Sequence, residues 1–159
     1  MKCHEKIMWS KTVESEYISL TANKTWDLVP YLGTMKVIGC MWKFKLKRDA
    51  TRNIKKYKAR LVARGDQQEP DWNSVFAPTV RYTSLRVILA IACINDWEIE
   101  QMDVVSAFLN VDVEFEIYMD QPEGYVAYGE KGHRLVCHLK KALYGTREAP
   151  RAQNSLFTA

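Results

Sequence analysis

Residues 39–65 read GCMWKFKLKRDATRNIKKYKARLVARG, and the alternation within this stretch decides the fold class. Trp42, Phe44 and Leu46 alternate with Lys43, Lys45 and Lys47, the period of two that a strand with one apolar and one cationic face produces. Asp49 to Asn53 supply turn chemistry, and in the run that follows Tyr57, Ala59 and Leu61 alternate with Lys58, Arg60 and Val62. The stretch therefore predicts a β-hairpin with a basic surface. Lysines on exposed strands also keep them from pairing with other chains, so the pattern alone leaves open whether this face binds a partner or only stays solvated.

Charge distribution favours a partner. Between Lys36 and Arg64 stand eleven Lys or Arg residues and one acid, Asp49, whereas the rest of the 159-residue chain carries twelve bases against eighteen acids. A concentrated basic face attracts polyanions, and the acidic remainder does not. With 47% hydrophobic and 26% charged residues the chain suits one globular domain. Its opening, MKCHEKIMWS, lacks an apolar targeting core, and no window approaches the roughly 18–20 apolar residues of a membrane span. The expectation is an untargeted intracellular protein, cytoplasmic, with no membrane partner. Cys3, Cys40, Cys93 and Cys137 stand far apart with no C-x-x-C pair, which predicts reduced thiols rather than a zinc site.

Outward from the hairpin, Trp9, Val13, Tyr17 and Leu20 recur at helical spacing, predicting an amphipathic helix with Glu14 and Glu16 turned to solvent. WDLVP (26–30) is a short apolar run closed by proline, and Pro70 and Pro78 bracket an irregular connection. TSLRVILAIACIN (83–95) is apolar nearly all round, which predicts a buried helix capped by Thr83 and ended at Asn95 and Asp96. WEIEQMD (97–103) reads as a strand with Asp103 at its C-terminal end, EIYM (116–119) and RLVCHL (134–139) as further strands, and DQPEGY (120–125) as a turn. A final helix is expected within LKKALYGTREAPRAQNSLFTA (139–159). The predicted class is α+β, a mixed or antiparallel sheet with packed helices, without internal repeats.

Six ordered blocks, VIGCMWKFKLKRD, YKARLVARG, FAPTVRYTSLRVILAIA, QMDVVSAFLN, EIYMDQPEGY and LKKALYGTREAPR, resemble the reverse transcriptases of copia-type LTR retrotransposons. The resemblance runs from Trp9 to Arg151 and implies a partial right-hand polymerase. Residues 1–159 would be one truncated reverse transcriptase domain, with a fingers-like region over about 9–95 that holds the basic hairpin 36–64, and a partial palm over about 96–159. The family copies an RNA or DNA template-primer with deoxynucleoside triphosphates, uses two Mg²⁺ ions and belongs to a Pol polyprotein. Hard divalent cations take oxygen ligands, and by resemblance Asp103 is the catalytic carboxylate of the first metal-binding motif, with the Val104 backbone carbonyl as a further ligand. Phe108 matches the aromatic position under the sugar of the incoming nucleotide, although a core phenylalanine fits equally. Gly145 and Pro150 match the second palm motif, where glycine lets the backbone approach template or nucleotide; a turn before a helix fits as well. Lys45, Lys47, Lys58 and Arg60 are the candidates for phosphate contacts.

Some residues depart from the family pattern. Val111 stands where glycine usually follows the AFLN block, and GTREAPRAQ replaces the more usual GLKQAPRxW. The Tyr-x-Asp-Asp hairpin that carries the other catalytic carboxylates does not occur in the sequence, and Asp112, Glu114 and Glu116 read as surface acids instead. The expectation is a fragment that does not polymerise alone, with an apolar helix face uncovered and a tendency to aggregate. A non-catalytic RNA- or DNA-binding remnant and a decayed insertion without cellular role are the alternatives.

Overall fold

The alternating stretch forms the hairpin it predicts. In the computed structural model, which describes residues 3–68, 80–101, 109, 111–113, 115–151 and 154, β3 (Cys40–Arg48) and β4 (Ile54–Ala63) pair antiparallel. The turn between them is held by Asp49, whose Oδ1 accepts from the Thr51 N–H at 3.0 Å, the Thr51 hydroxyl at 2.7 Å and the Asn53 N–H at 2.9 Å. Register sorts the side chains by face: Trp42 lies opposite Leu61, Phe44 opposite Ala59 and Leu46 opposite Tyr57, while Lys43 lies opposite Arg60, Lys45 opposite Lys58 and Lys47 opposite Lys56.

The apolar face is covered by α1 (Cys3–Ala22). Trp9 packs edge-on against Phe44 and Tyr57, with centroid distances of 5.1 and 4.7 Å, Tyr17 stacks on Tyr125 at 3.8 Å, and Leu20 enters the core. Thr25 ends this unit: its buried hydroxyl donates to the Leu20 carbonyl at 2.7 Å, and its own carbonyl accepts from the Lys140 N–H at 2.8 Å. Glu14 is exposed as expected, but Glu16 is half-buried against β4 rather than turned to solvent. The cause is the width of the buried stripe, which on a helix packed along a strand takes in the position beside Tyr17.

A second sheet holds β1 (Trp26–Pro30), β2 (Val37–Ile38), β5 (Tyr118–Met119) and β6 (Leu135–Leu139) in the order β1-β6-β5-β2. The pairs β1/β6 and β5/β6 are antiparallel and β2/β5 is parallel, so the sheet is mixed. Its inner residues Ile38, Met119, Cys137 and Leu139 join Leu20, Leu61 and Leu143 in one core. Around the turn after β5, Gln121 accepts from the Ala127 N–H at 2.8 Å and donates to the Ala127 and Leu135 carbonyls at 2.8 and 2.9 Å. A mixed α+β fold is thus in place.

Three expectations need correction. The helix of 83–95 forms as α2 (Tyr82–Ile94) and ends at Asn95, whose side chain donates to the Ile91 carbonyl at 2.8 Å, but its N-cap is Arg81, not Thr83, and without a side-chain capping bond. It is not buried: Ala92 alone in α2 is inaccessible, and Ile88 and Ile94 are 60% and 83% exposed. All-round apolarity fixes what a helix needs to bury, not whether a neighbour is present to bury it. Residues 97–101 form no strand, and the expected position of Asp103 at a strand end lies outside the described residues. No described helix is long and apolar enough to cross a membrane.

Candidate polyanion interface

The cationic face of the hairpin is a ladder of like charges. Lys43–Arg60, Lys45–Lys58 and Lys47–Lys56 are direct cross-strand partners, an arrangement that costs stability unless something negative lies over it. Lys58 shows the strain electrostatically: partial burial, then the charges of Arg60 and Lys47, hold its ammonium below the usual lysine range, while Glu16 acts in the opposite sense. Glu16 in turn is pushed up by burial, against the lowering effects of Arg60, Lys58 and the Leu61 N–H.

The outer edge of β4 is met by the turn after β6. The Ala63 N–H donates to the Tyr144 carbonyl at 2.7 Å and the Gly65 N–H to the Gly145 carbonyl at 3.1 Å. Arg147 Nε donates to the Gly65 carbonyl at 2.7 Å, its N–H to Gln68 Oε1 at 2.9 Å, and Gln68 Nε2 to the Glu148 carboxylate at 3.2 Å. Such close approach needs glycine on both sides. Gly145 has φ +94°, and a Cβ there would meet the Ala63 carbonyl oxygen and the Val62 side chain; a Cβ at Gly65 would meet the Gly145 carbonyl oxygen.

Docking of this turn makes one wall of a cavity of about 450 Å³, lined by Lys43, Lys45, Lys58, Arg60, Tyr144 and Gly145 among others. The Arg60 guanidinium lies 4.9 Å from the Tyr144 ring centroid, a cation–π contact that orients it. On the opposite face a larger hollow, about 820 Å³, is bounded by Trp9, Trp42 and Tyr125 and has Lys6 as its one cation, a poorer match for phosphate.

Of the residues singled out in the sequence, Lys45, Lys58, Arg60 and Gly145 converge on the cavity, and Lys47 lies two register pairs further toward the hairpin tip. The internal packing on Ala63 accounts by itself for the glycine at 145. Pro150 lies exposed in the helical turn that starts at Ala149. Asp103, Val104 and Phe108 lie outside the described residues. Among the described residues no three His, Cys, Asp or Glu side chains come together to hold a metal. Lys43, Lys56 and Tyr144 are additions from the structure. The two lysines were readable by extending the hairpin register from its turn; nothing local marks Tyr144 as the wall of a site some eighty residues upstream.

A family model described as reverse transcriptase (RNA-dependent DNA polymerase) matches residues 23–159. The chain is 44% identical over 149 residues to the retrovirus-related Pol polyprotein from transposon TNT 1-94 of Nicotiana tabacum, covering 92% of this chain and 11% of that protein. It is 40% identical over 147 residues to those from transposons RE2 and RE1 of Arabidopsis thaliana, covering 91% of this chain and 10% of each. The chain thus spans about a tenth of the length of the relatives it matches. No solved structure matches at a significant level.

Proposed function

Because the chain belongs to the copia-type LTR retrotransposon reverse transcriptase family, we propose that its cationic hairpin grips phosphates during template-directed DNA synthesis by a longer Pol polyprotein. The carrying observation is the convergence of Lys45, Lys58 and Arg60, from two strands, on one cavity closed by the Tyr144–Gly145 turn. A deoxynucleoside triphosphate or a template-primer backbone supplies the negative charge that the ladder of like charges requires. In this reading residues up to about 95 are the fingers-like part and the remainder belongs to the palm. By their match to the family motif, Asp103 and the Val104 carbonyl are proposed as the metal-binding positions for Mg²⁺ and Phe108 as the position beneath the nucleotide sugar.

The test has two arms. A primer–template duplex titrated into the 159-residue chain is expected to bind with an affinity that falls steeply with salt. Joint replacement of Lys45, Lys58 and Arg60 by alanine should remove most of that binding and flatten the salt slope; an unchanged affinity would refute the assignment. In a chain extended to the length of the relatives, Asp103→Ala is expected to reduce Mg²⁺-dependent primer extension to background.

A further inference from the structure

The cations of the hairpin repeat at a fixed interval. Lys43–Arg60, Lys45–Lys58 and Lys47–Lys56 occupy every second register pair on one face, so neighbouring rungs lie roughly 6.8 Å apart and the outer two roughly 14 Å, at the ordinary antiparallel rise of about 3.4 Å per residue. Among the described residues no acid forms an ion pair with any of them. Lys43, Lys45, Lys47 and Lys56 are exposed, and Lys58 and Arg60 are partly buried. The cavity beside the Tyr144–Gly145 turn takes in the first two rungs; the third lies beyond it, toward the hairpin tip.

Two ligands suit such a face, a triphosphate and a strand backbone, and the interval separates them. Six covalent bonds lead from one phosphorus to the next along a nucleic-acid strand, as many as in a two-residue step of peptide, so a stretched strand repeats at roughly the 6.8 Å of the rungs. In a triphosphate only two bonds separate neighbouring phosphorus atoms, and the whole group, four bonds from first to last, is shorter than one step of the ladder. It would leave the third rung as an uncompensated pair of like charges, which costs stability in a sheet. Resting on the phosphate-binding reading of this face, we infer that the ligand of the ladder is a single nucleic-acid strand laid along both arms of the hairpin, one phosphate to each rung, from the Tyr144–Gly145 turn to the third rung. Flexible lysine stems follow a backbone without reading base edges, so the contact is independent of sequence.

Thymidine oligonucleotides with one, three and seven phosphates, and inorganic tripolyphosphate, are the probes. They are titrated at low salt into the 159-residue chain, a Lys47→Gln/Lys56→Gln variant that lacks the third rung, and a Lys6→Gln/Lys11→Gln control that loses two exposed lysines of α1. In the wild type, affinity is expected to rise steeply from one phosphate to three, and beyond that only by the number of registers open to a longer strand. Loss of the third rung should weaken the two longer strands about three- to tenfold, the size of two exposed charge contacts, and lower their salt slope by about 1.4. Tripolyphosphate binding should change less than about twofold in that variant, and neither ligand should change more than this in the control. Equal weakening of tripolyphosphate and strands by Lys47→Gln/Lys56→Gln overturns the inference, as do strands affected no more than in the control. Binding of tripolyphosphate alone also overturns it and leaves the phosphate-binding reading standing. Absence of binding by every probe removes that reading itself, and the inference with it.

Discussion

At Gly145 two separate constraints meet in one residue: a left-handed backbone, φ +94°, and an approach to Ala63 that leaves no room for a Cβ. Gly145→Ala should therefore cost about 2 kcal/mol or more, the sum of backbone strain and a shifted turn, seen as a lower urea midpoint at constant slope. A midpoint within error of wild type would mean that the turn does not dock on β4 in solution. At Glu16 the constraint is electrostatic. Its carboxyl is raised in the folded chain, so folding favours the protonated form; the associated stability is full below the ordinary carboxylate pKa and is lost as pH rises through the raised value. Wild type should gain stability relative to Glu16→Gln as pH falls across that interval, and parallel stability–pH curves would contradict the burial. The glycine was visible in the sequence as a turn residue, but its partner was not, because Ala63 is remote along the chain. Glu16 was read as exposed because its local spacing fits the polar side of a helix, and only the packed strand reassigns it.

The hairpin was legible in full because everything that specifies it is local: period two on both arms, and an aspartate whose side chain satisfies the turn N–H groups. Helix α2 was legible only in half. Its composition dictates a helix, yet its apolar surface is open among the described elements, with Val87, Ile88, Ile91 and Ile94 all exposed. Contiguous apolar surface of this kind drives self-association. Replacing Ile88 and Ile94 together by lysine is expected to shift the chain toward monomer in light scattering, with less than about 0.5 kcal/mol lost from stability, as for other surface substitutions. If the double variant unfolds instead, α2 has a neighbour in solution that buries those residues. Short strands such as β2 and β5, of two residues each, lie below what periodicity can resolve and are fixed by their pairing.

Across the whole molecule the core can be followed through its thiols. Cys137 is fully buried in β6 and its thiol is pushed up to about 12, chiefly by burial; Cys40 is pushed up to about 11 for the same reason, and Cys93 is exposed. Alkylation at pH 8 followed by peptide mass spectrometry should label Cys93 at once and Cys137 only as fast as the native state opens; equal rates would show that the two sheets do not share a stable core. Fold class followed from the sequence, whereas the cavity did not, because its walls are brought together by contacts such as Arg147 to Gln68 and to Gly65, 79 and 82 positions apart. That separation also has a meaning in time. On a ribosome adding roughly 5–20 residues per second, the segment that covers Ala63 emerges about 4 to 16 s after it. Throughout that delay the outer rim of β4 lacks the Tyr144 carbonyl that accepts the Ala63 N–H in the folded chain. The rim of β4 is thus completed only after the strand itself has long been made.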